Sequence, residues 1–287
     1  MWENGPIFSF KKEEMKDECR IIKEGQLNPS LTTTKFSSKG NDFMKENRAT
    51  ENVVPFVQSA SSGKTFRHDY PISDELREEL LLDVFKDFTH YLIDRYAALY
   101  REGLCEFIDD HHPQTEKRQA LESNLFWWKL MYDSDGAEVT FAEDYIEENR
   151  HKLHKKPLIA SWLKEWDKAI PKFYYVGYKY NDRVLVVVDM LTNETLDVMV
   201  YDPTAVPPKK GKIVMGTLIP IGDALYFPII DFYHFDLEAS KDLAGPIVHN
   251  YEKHSETSNY EAFIHVLSVA LQIERIIFLE NHQETSS

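Results

Sequence analysis

Apolar residues recur at every fourth position from Leu76 to Tyr100. Leu76, Leu80, Val84, Phe88, Leu92, Tyr96 and Tyr100 form one unbroken row, the pattern of a long amphipathic helix with one face in a core. Ser73 supplies an N-cap with acids in the turn that follows, and Gly103 marks the expected end. His111-His112-Pro113 reads as the entry to a second helix, carried by Leu121, Leu125, Phe126, Trp128 and Leu130 and closed before Ser134-Asp135-Gly136. Thr140 and Glu143 have capping-box spacing for a third. Pro157 opens a fourth, in which Ile159, Trp162, Leu163 and Trp166 share a face before Pro171 stops it.

From 173 to 235 the period becomes that of strands. Asn181-Asp182 separates two β-rich runs, a polar pair suited to a hairpin turn. Val184 to Val188 is continuously apolar, which predicts a strand covered on both faces. Residues 195–200 alternate instead, with Leu196, Val198 and Val200 on one side and Thr195, Asp197 and Met199 on the other. Pro203, Pro207 and Pro208 break the ladder, and Ile213 to Ile219 and Ala224 to Ile230 complete five short runs divided by Pro220 and Gly222. Five short strands joined by hairpins close most easily as a small antiparallel barrel or a strongly curled sheet. Afterwards Asp236 caps a helix interrupted at Gly245-Pro246, and Ser258 with Glu261 caps a last one, from about Asn259 to Glu280, apolar on most sides. No internal repeat is evident.

The fold class is therefore α+β: a helical layer with an inserted small antiparallel β barrel or curled sheet, and a disordered N-terminal tail. Its expected divisions are a tail over 1–68, a helical region over 69–171, the β module over 173–235, and C-terminal helices over 236–280 that pack back on the helical region. The tail has nearly balanced charge, many small polar residues and no sustained apolar period, so burial cannot offset its ordering entropy. Its short apolar patches, Ile7 to Phe10 and Val53 to Val57, are long enough to dock on the body or on a partner.

Charge narrows the function. With 48 acids against 33 bases the net charge is −15, a field that repels phosphates and makes duplex DNA an unexpected partner. Two cysteines, Cys19 and Cys105, fit neither a disulfide framework nor a zinc site and suggest a reducing, cytoplasmic setting. No segment has the length and uninterrupted apolarity of a membrane span; Ala262 to Leu279 contains His265, Glu274 and Arg275 and reads as a buried helix.

Candidate chemistry is sparse. Ser62-Gly63-Lys64-Thr65 has the end of a P-loop, but Gln58 stands where the first glycine belongs and no apolar strand precedes it. His111 and His112 are adjacent and diverge from a common metal. His151 and His154 share a helix face, but among Arg150, Lys152, Lys155 and Lys156 they sit in a field hostile to a divalent cation. Those bases with Lys164, Lys168 and Lys172 form a candidate anion-facing patch beside Trp162 and Trp166, and Lys209, Lys210 and Lys212 form a second basic cluster in a loop between strands. Asp189, Asp197, Asp202, Asp223 and Asp231 are spread along the β module, where convergence at one end would make acid/base or metal chemistry available. No complete catalytic, metal or cofactor signature is present.

Trp162-x-x-x-Trp166, Pro171-x-Phe173-Tyr174, the run from Val187 to Glu194, Gly211, and Gly216-Thr217-Leu218-Ile219-Pro220 together resemble the helix-plus-β body of uncharacterised bacterial proteins, some of which carry a C-terminal SEC-C zinc motif. The resemblance implies a bacterial protein with that body over about residues 74 to 280. The chain ends in Asn281-His282-Gln283-Glu284-Thr285-Ser286-Ser287, without a cysteine cluster, so the zinc motif does not carry over. The expectation is a cytoplasmic, non-enzymatic module that binds another protein. The alternatives are a nucleic-acid-associated protein using the basic clusters and an enzyme of unrecognised type using the aspartates. Oligomeric state is not readable from these patterns.

Overall fold

Ser73 begins the helical layer, its side chain accepting a hydrogen bond from the Leu76 amide at 3.2 Å and so satisfying one of the free N–H groups at a helix start. The computed structural model describes residues 57–59, 65–202, 205–254 and 258–284. Most of the tail, Cys19 and Ser62 to Lys64 lie outside them. The body takes in residues that precede 69: Gln58 and Phe66 are buried, and the Phe66 amide donates to Ser161 Oγ at 3.0 Å.

Helix α1 (Asp74–Glu78) passes through a wider π turn over Glu79–Val84 into α2 (Phe85–His111). The Gly103 stop is overridden. Leu104, Cys105 and Ile108 are buried beyond it, and that packing outweighs the roughly 1 kcal/mol that an interior glycine costs. His111 and His112 therefore end α2 rather than open its successor, His112 closing it in the left-handed region at φ 47° with its amide donating to the Ile108 carbonyl. Helix α3 (Thr115–Ser134) buries Leu121, Leu125, Phe126, Trp128 and Leu130, as their spacing predicts. Helix α4 (Phe141–Glu148) has the Thr140–Glu143 capping box. After α5 (Arg150–Leu153), α6 (Pro157–Leu163) starts on its proline and runs into a 3₁₀ turn, Lys164–Lys168.

Seven strands follow: β1 (Lys172–Lys179), β2 (Val184–Asp189), β3 (Thr195–Met199), β4 (Ile213–Gly216), β5 (Leu218–Pro220), β6 (Leu225–Pro228) and β7 (Tyr233–His234). They form one sheet in the order β5-β6-β3-β2-β1-β4-β7. It is mixed rather than antiparallel, because β3 and β6 pair in parallel. Only Thr217 separates β4 from β5, so one bent strand pairs with β1 through its first half and with β6 through its second. The sheet curls round on itself as a result. Tyr174, Val176, Leu185, Val187, Val198 and Val214 fill the inside of the curl as a core of their own. Phe173, Ile213, Met215, Ile219 and Phe227 point outward into the larger core shared with the helices.

Val184 to Val188 is not covered on both faces. Leu185 and Val187 are buried while Val184, Val186 and Val188 are half-buried, so one face of β2 lies in the core and the other is partly open. Helix α7 (Leu237–His254) runs through Gly245-Pro246 without the expected interruption, and α8 (Asn259–Glu284) packs beside it. The first half of α8 is buried, but Ile276 and Leu279 near its end are exposed.

Candidate functional site

Most bases of the patch expected along 150–172 are paired with the chain's own carboxylates. Arg150 pairs with Glu147 at 3.3 Å, Lys156 with Glu79, Lys164 with Glu143 at 3.1 Å and Lys168 with Glu165 at 2.7 Å. Lys172 reaches the fully buried Asp189 at 2.6 Å. Trp162 and Trp166, the aromatic partners proposed for that patch, have no exposed surface. Lys152 and Lys155 remain exposed, with no carboxylate in ion-pair range among the described residues. His151 and His154 line a shallow, open depression with Glu147, Glu148 and Arg150. His111 is held at both ring nitrogens, by the Phe107 carbonyl and Ser268 Oγ, each at 2.7 Å. Among the described residues no three His, Cys, Asp or Glu side chains are grouped to hold a metal.

The aspartates do not converge either. Asp189 closes the turn after β2, accepting from the Leu191 amide at 2.9 Å and from Lys172. Burial works to raise its pKa, and those bonds overcome it, holding the carboxyl below the usual range. Asp223 pairs with Arg77 at 2.5 Å, and Asp197 is exposed on β3. Asp231 is pushed up to about 6, by burial first and then by the Asp202 charge.

What the structure does bring together is an aromatic face on the curled sheet. Tyr175, Tyr178 and Tyr180 are 43%, 52% and 60% exposed, although strict alternation along β1 would turn Tyr178 inward with Tyr174 and Val176. A register shift between Val176 and Tyr178 inserts Gly177 as an extra residue and rotates Tyr178 to the outside, as a β-bulge does. Tyr175 then lies opposite Val188 and Tyr178 opposite Val186, and the rows continue to Thr195 and Asp197 on β3. The Tyr178 and Tyr180 rings meet edge to face at 5.1 Å.

One flank of this face is basic. The Gly211 amide donates to the Val176 carbonyl at 2.9 Å, and the Val176 amide donates to the Lys212 carbonyl at 3.0 Å. These bonds fix the Lys209–Lys212 turn beside β1. Lys209 and Lys210 are exposed, and among the described residues neither they nor Lys212 has a carboxylate in ion-pair range. The other flank carries the exposed acids Glu194 and Asp197. The face is thus an apolar and aromatic strip between a basic and an acidic border. Gly177 within a strand pattern was the signal in the sequence that marked it.

His234 lies on the inner side of the same basic turn. Burial first, then Lys212, Lys117 and Lys209, push its pKa down to about 4, against about 6.5 in an unfolded chain. Between those values the unfolded chain binds more protons, so this group makes stability fall as pH drops through that window. Asp231 acts with the opposite sign, costing stability as pH rises from about 4 towards about 6. Urea unfolding across this range should show a weaker loss of stability on acidification for His234→Gln than for the parent, and a stronger loss for Asp231→Asn. Parallel curves for all three would reject the assignment.

Comparison with known proteins adds no relative: no family model matches the chain, and neither a curated protein nor a solved structure matches it.

Proposed function

We propose that the chain is a non-enzymatic protein-binding module whose contact surface is the outer face of β1 and β2. One observation carries this reading: Tyr175 and Tyr178 stand exposed on one face over Val186 and Val188, beside three lysines that have no carboxylate in ion-pair range among the described residues. Tyrosine gives large, rigid contact area with a polar tip and is enriched at protein interfaces, while most bases of the 150–172 segment are engaged by the protein's own carboxylates. Affinity capture with the parent chain and with Tyr175→Ser/Tyr178→Ser tests it. A central tyrosine pair is worth about 2 kcal/mol or more, so a partner should be lost at least about 30-fold. Identical captured proteins would reject the face as the site.

A second reading, single-stranded nucleic acid, has one specific observation in its favour. A meander β1-β2-β3, closed by a parallel β3–β6 pair and by β4 on β1, is the connectivity of OB-type barrels, which bind oligonucleotides on such a face. That is an analogy of fold, and function resides in the site. Here Glu194 and Asp197 on the same face and a net charge of −15 oppose a polyphosphate. In fluorescence anisotropy at about 0.15 M salt, neither a labelled duplex nor a labelled single strand should bind at submicromolar concentration. Submicromolar binding of the single strand would put this reading first.

A further inference from the structure

The border charges of the aromatic face are arranged so that the face complements itself. Across the strands the order is the Lys209–Lys212 turn, Tyr178 on β1, Val186 on β2 and Asp197 on β3, the last three being register partners in one row. The turn is bonded to Val176, beside that row.

We propose that this face binds a second copy of the chain, the two copies facing each other about a two-fold axis that runs along the strands between β1 and β2. The proposal rests on the protein-binding reading and names its partner. Such an axis exchanges the two borders: the basic turn of one copy lies over the acidic β3 border of the other, twice per dimer, and the tyrosines and valines of both copies meet at the centre. This is the isologous condition, in which one patch serves both sides of the contact. The net charge of −15 makes copies of the chain repel one another. A self-contact is therefore favoured where bases stand exposed with no carboxylate of the chain in ion-pair range among the described residues, and Lys209 and Lys210 of this turn stand so beside an apolar strip. An interface of ordinary size needs about 800 Å² from each partner, so the contact takes in the three strands and the flanking turn together. Opposite charges across the borders set the register more than they set the affinity.

Sedimentation equilibrium of the full chain, from micromolar to submillimolar concentration near physiological salt, is the test, with far-UV circular dichroism to establish that each variant is folded. The parent should be a reversible dimer. Asp197→Lys alone and Lys210→Glu alone should each weaken dimerisation by at least about tenfold, because each sets like charges against one another at both borders. The two substitutions in one chain should restore it to within about threefold, since the axis then brings the two introduced charges of different copies together with the signs exchanged. Tyr178→Asp should leave a monomer. A parent that stays monomeric throughout overturns the self-association. If a different protein is nevertheless captured in a Tyr178-dependent way, the binding face stands and only its partner was misnamed. A dimer indifferent to Tyr178, Asp197 and Lys210 overturns the inference, and with Tyr178-independent capture it overturns the binding face too.

Discussion

Trp166→Ala should destabilise the protein by about 3 to 5 kcal/mol, the range for removing a large aromatic from a core that cannot collapse around the gap. Trp166 is fully buried where the helical layer meets the sheet. Its ring contacts Phe85 at 5.7 Å, Phe88 at 5.0 Å, Trp127 at 5.6 Å and Trp162 at 6.1 Å. The two tryptophans differ in one useful respect. Trp162 Nε1 donates to the Pro220 carbonyl at 2.8 Å, whereas Trp166 Nε1 is buried with no acceptor among the described residues. Trp166→Phe should therefore be much milder than Trp166→Ala, while Trp162→Phe strands a buried carbonyl and loses about 1 to 3 kcal/mol more than volume alone explains. Chemical denaturation measures all three. A near-neutral Trp166→Ala would place the residue outside the core.

Glu274→Ala should have an effect of similar size, about 3 to 5 kcal/mol, by breaking a buried ion pair and leaving its partners unpaired. Glu274 on α8 accepts from Lys117 Nζ at 2.7 Å, from Tyr233 Oη at 2.5 Å and from the Asp236 amide at 2.9 Å. One carboxylate thus ties α3, β7 and the start of α7 to the last helix. Lys117 also pairs with Asp236 at 2.8 Å. That bond works against the burial that would raise the Asp236 pKa, and with Gln114 it holds the carboxyl below its usual range. The stabilisation from Asp236 is present in full above the unfolded carboxylate pKa and is lost as pH falls through its lower folded value. Thermal melts of Glu274→Ala and Lys117→Met, alone and together, separate the pair from its surroundings. If the double variant loses as much as the two single losses added together, the two side chains are not coupled.

The elements legible in the sequence were those that local chemistry decides. Thr140 and Glu143 cap a helix because the capping box needs nothing beyond four residues, and Pro157 starts one for the same reason. Leu196, Val198 and Val200 face inward together as their alternation says. What failed was set by distant partners. Gly103 and Pro246 lie inside helices because core packing outweighs propensity at those points. The parallel pairing of β3 with β6 leaves no trace in spacing. The stripe of Trp162 and Trp166 reads equally as a core face or as a surface patch, and only burial decides between them. The bases beside them looked available because Glu79, Glu143 and Asp189 come from other segments. Tyr178 reaches the outer face because the bulge at Gly177 breaks the alternation of β1, and pairing with a partner strand, not spacing alone, shows that. Residues behind the resemblance noted in the sequence serve packing and turns: Asn193 takes φ 58° in the turn closed by Asp189, and a Cβ on Gly216 would stand 2.7 Å from the Phe232 ring.

The bend at Thr217 also bears on how the molecule behaves in a crowded solution. Because one strand is shared between β1 and β6, the outermost strands of the sheet among the described residues are β5, three residues long, and β7, two residues long. Neither end offers the long row of free amides and carbonyls that another chain needs in order to add a strand. A partner of the tyrosine face is therefore expected to read side chains, since the two outermost strands are too short to recruit it by strand addition. The same closure guards the protein against growth into sheets between molecules. An exposed aromatic surface can then persist without becoming an aggregation hazard.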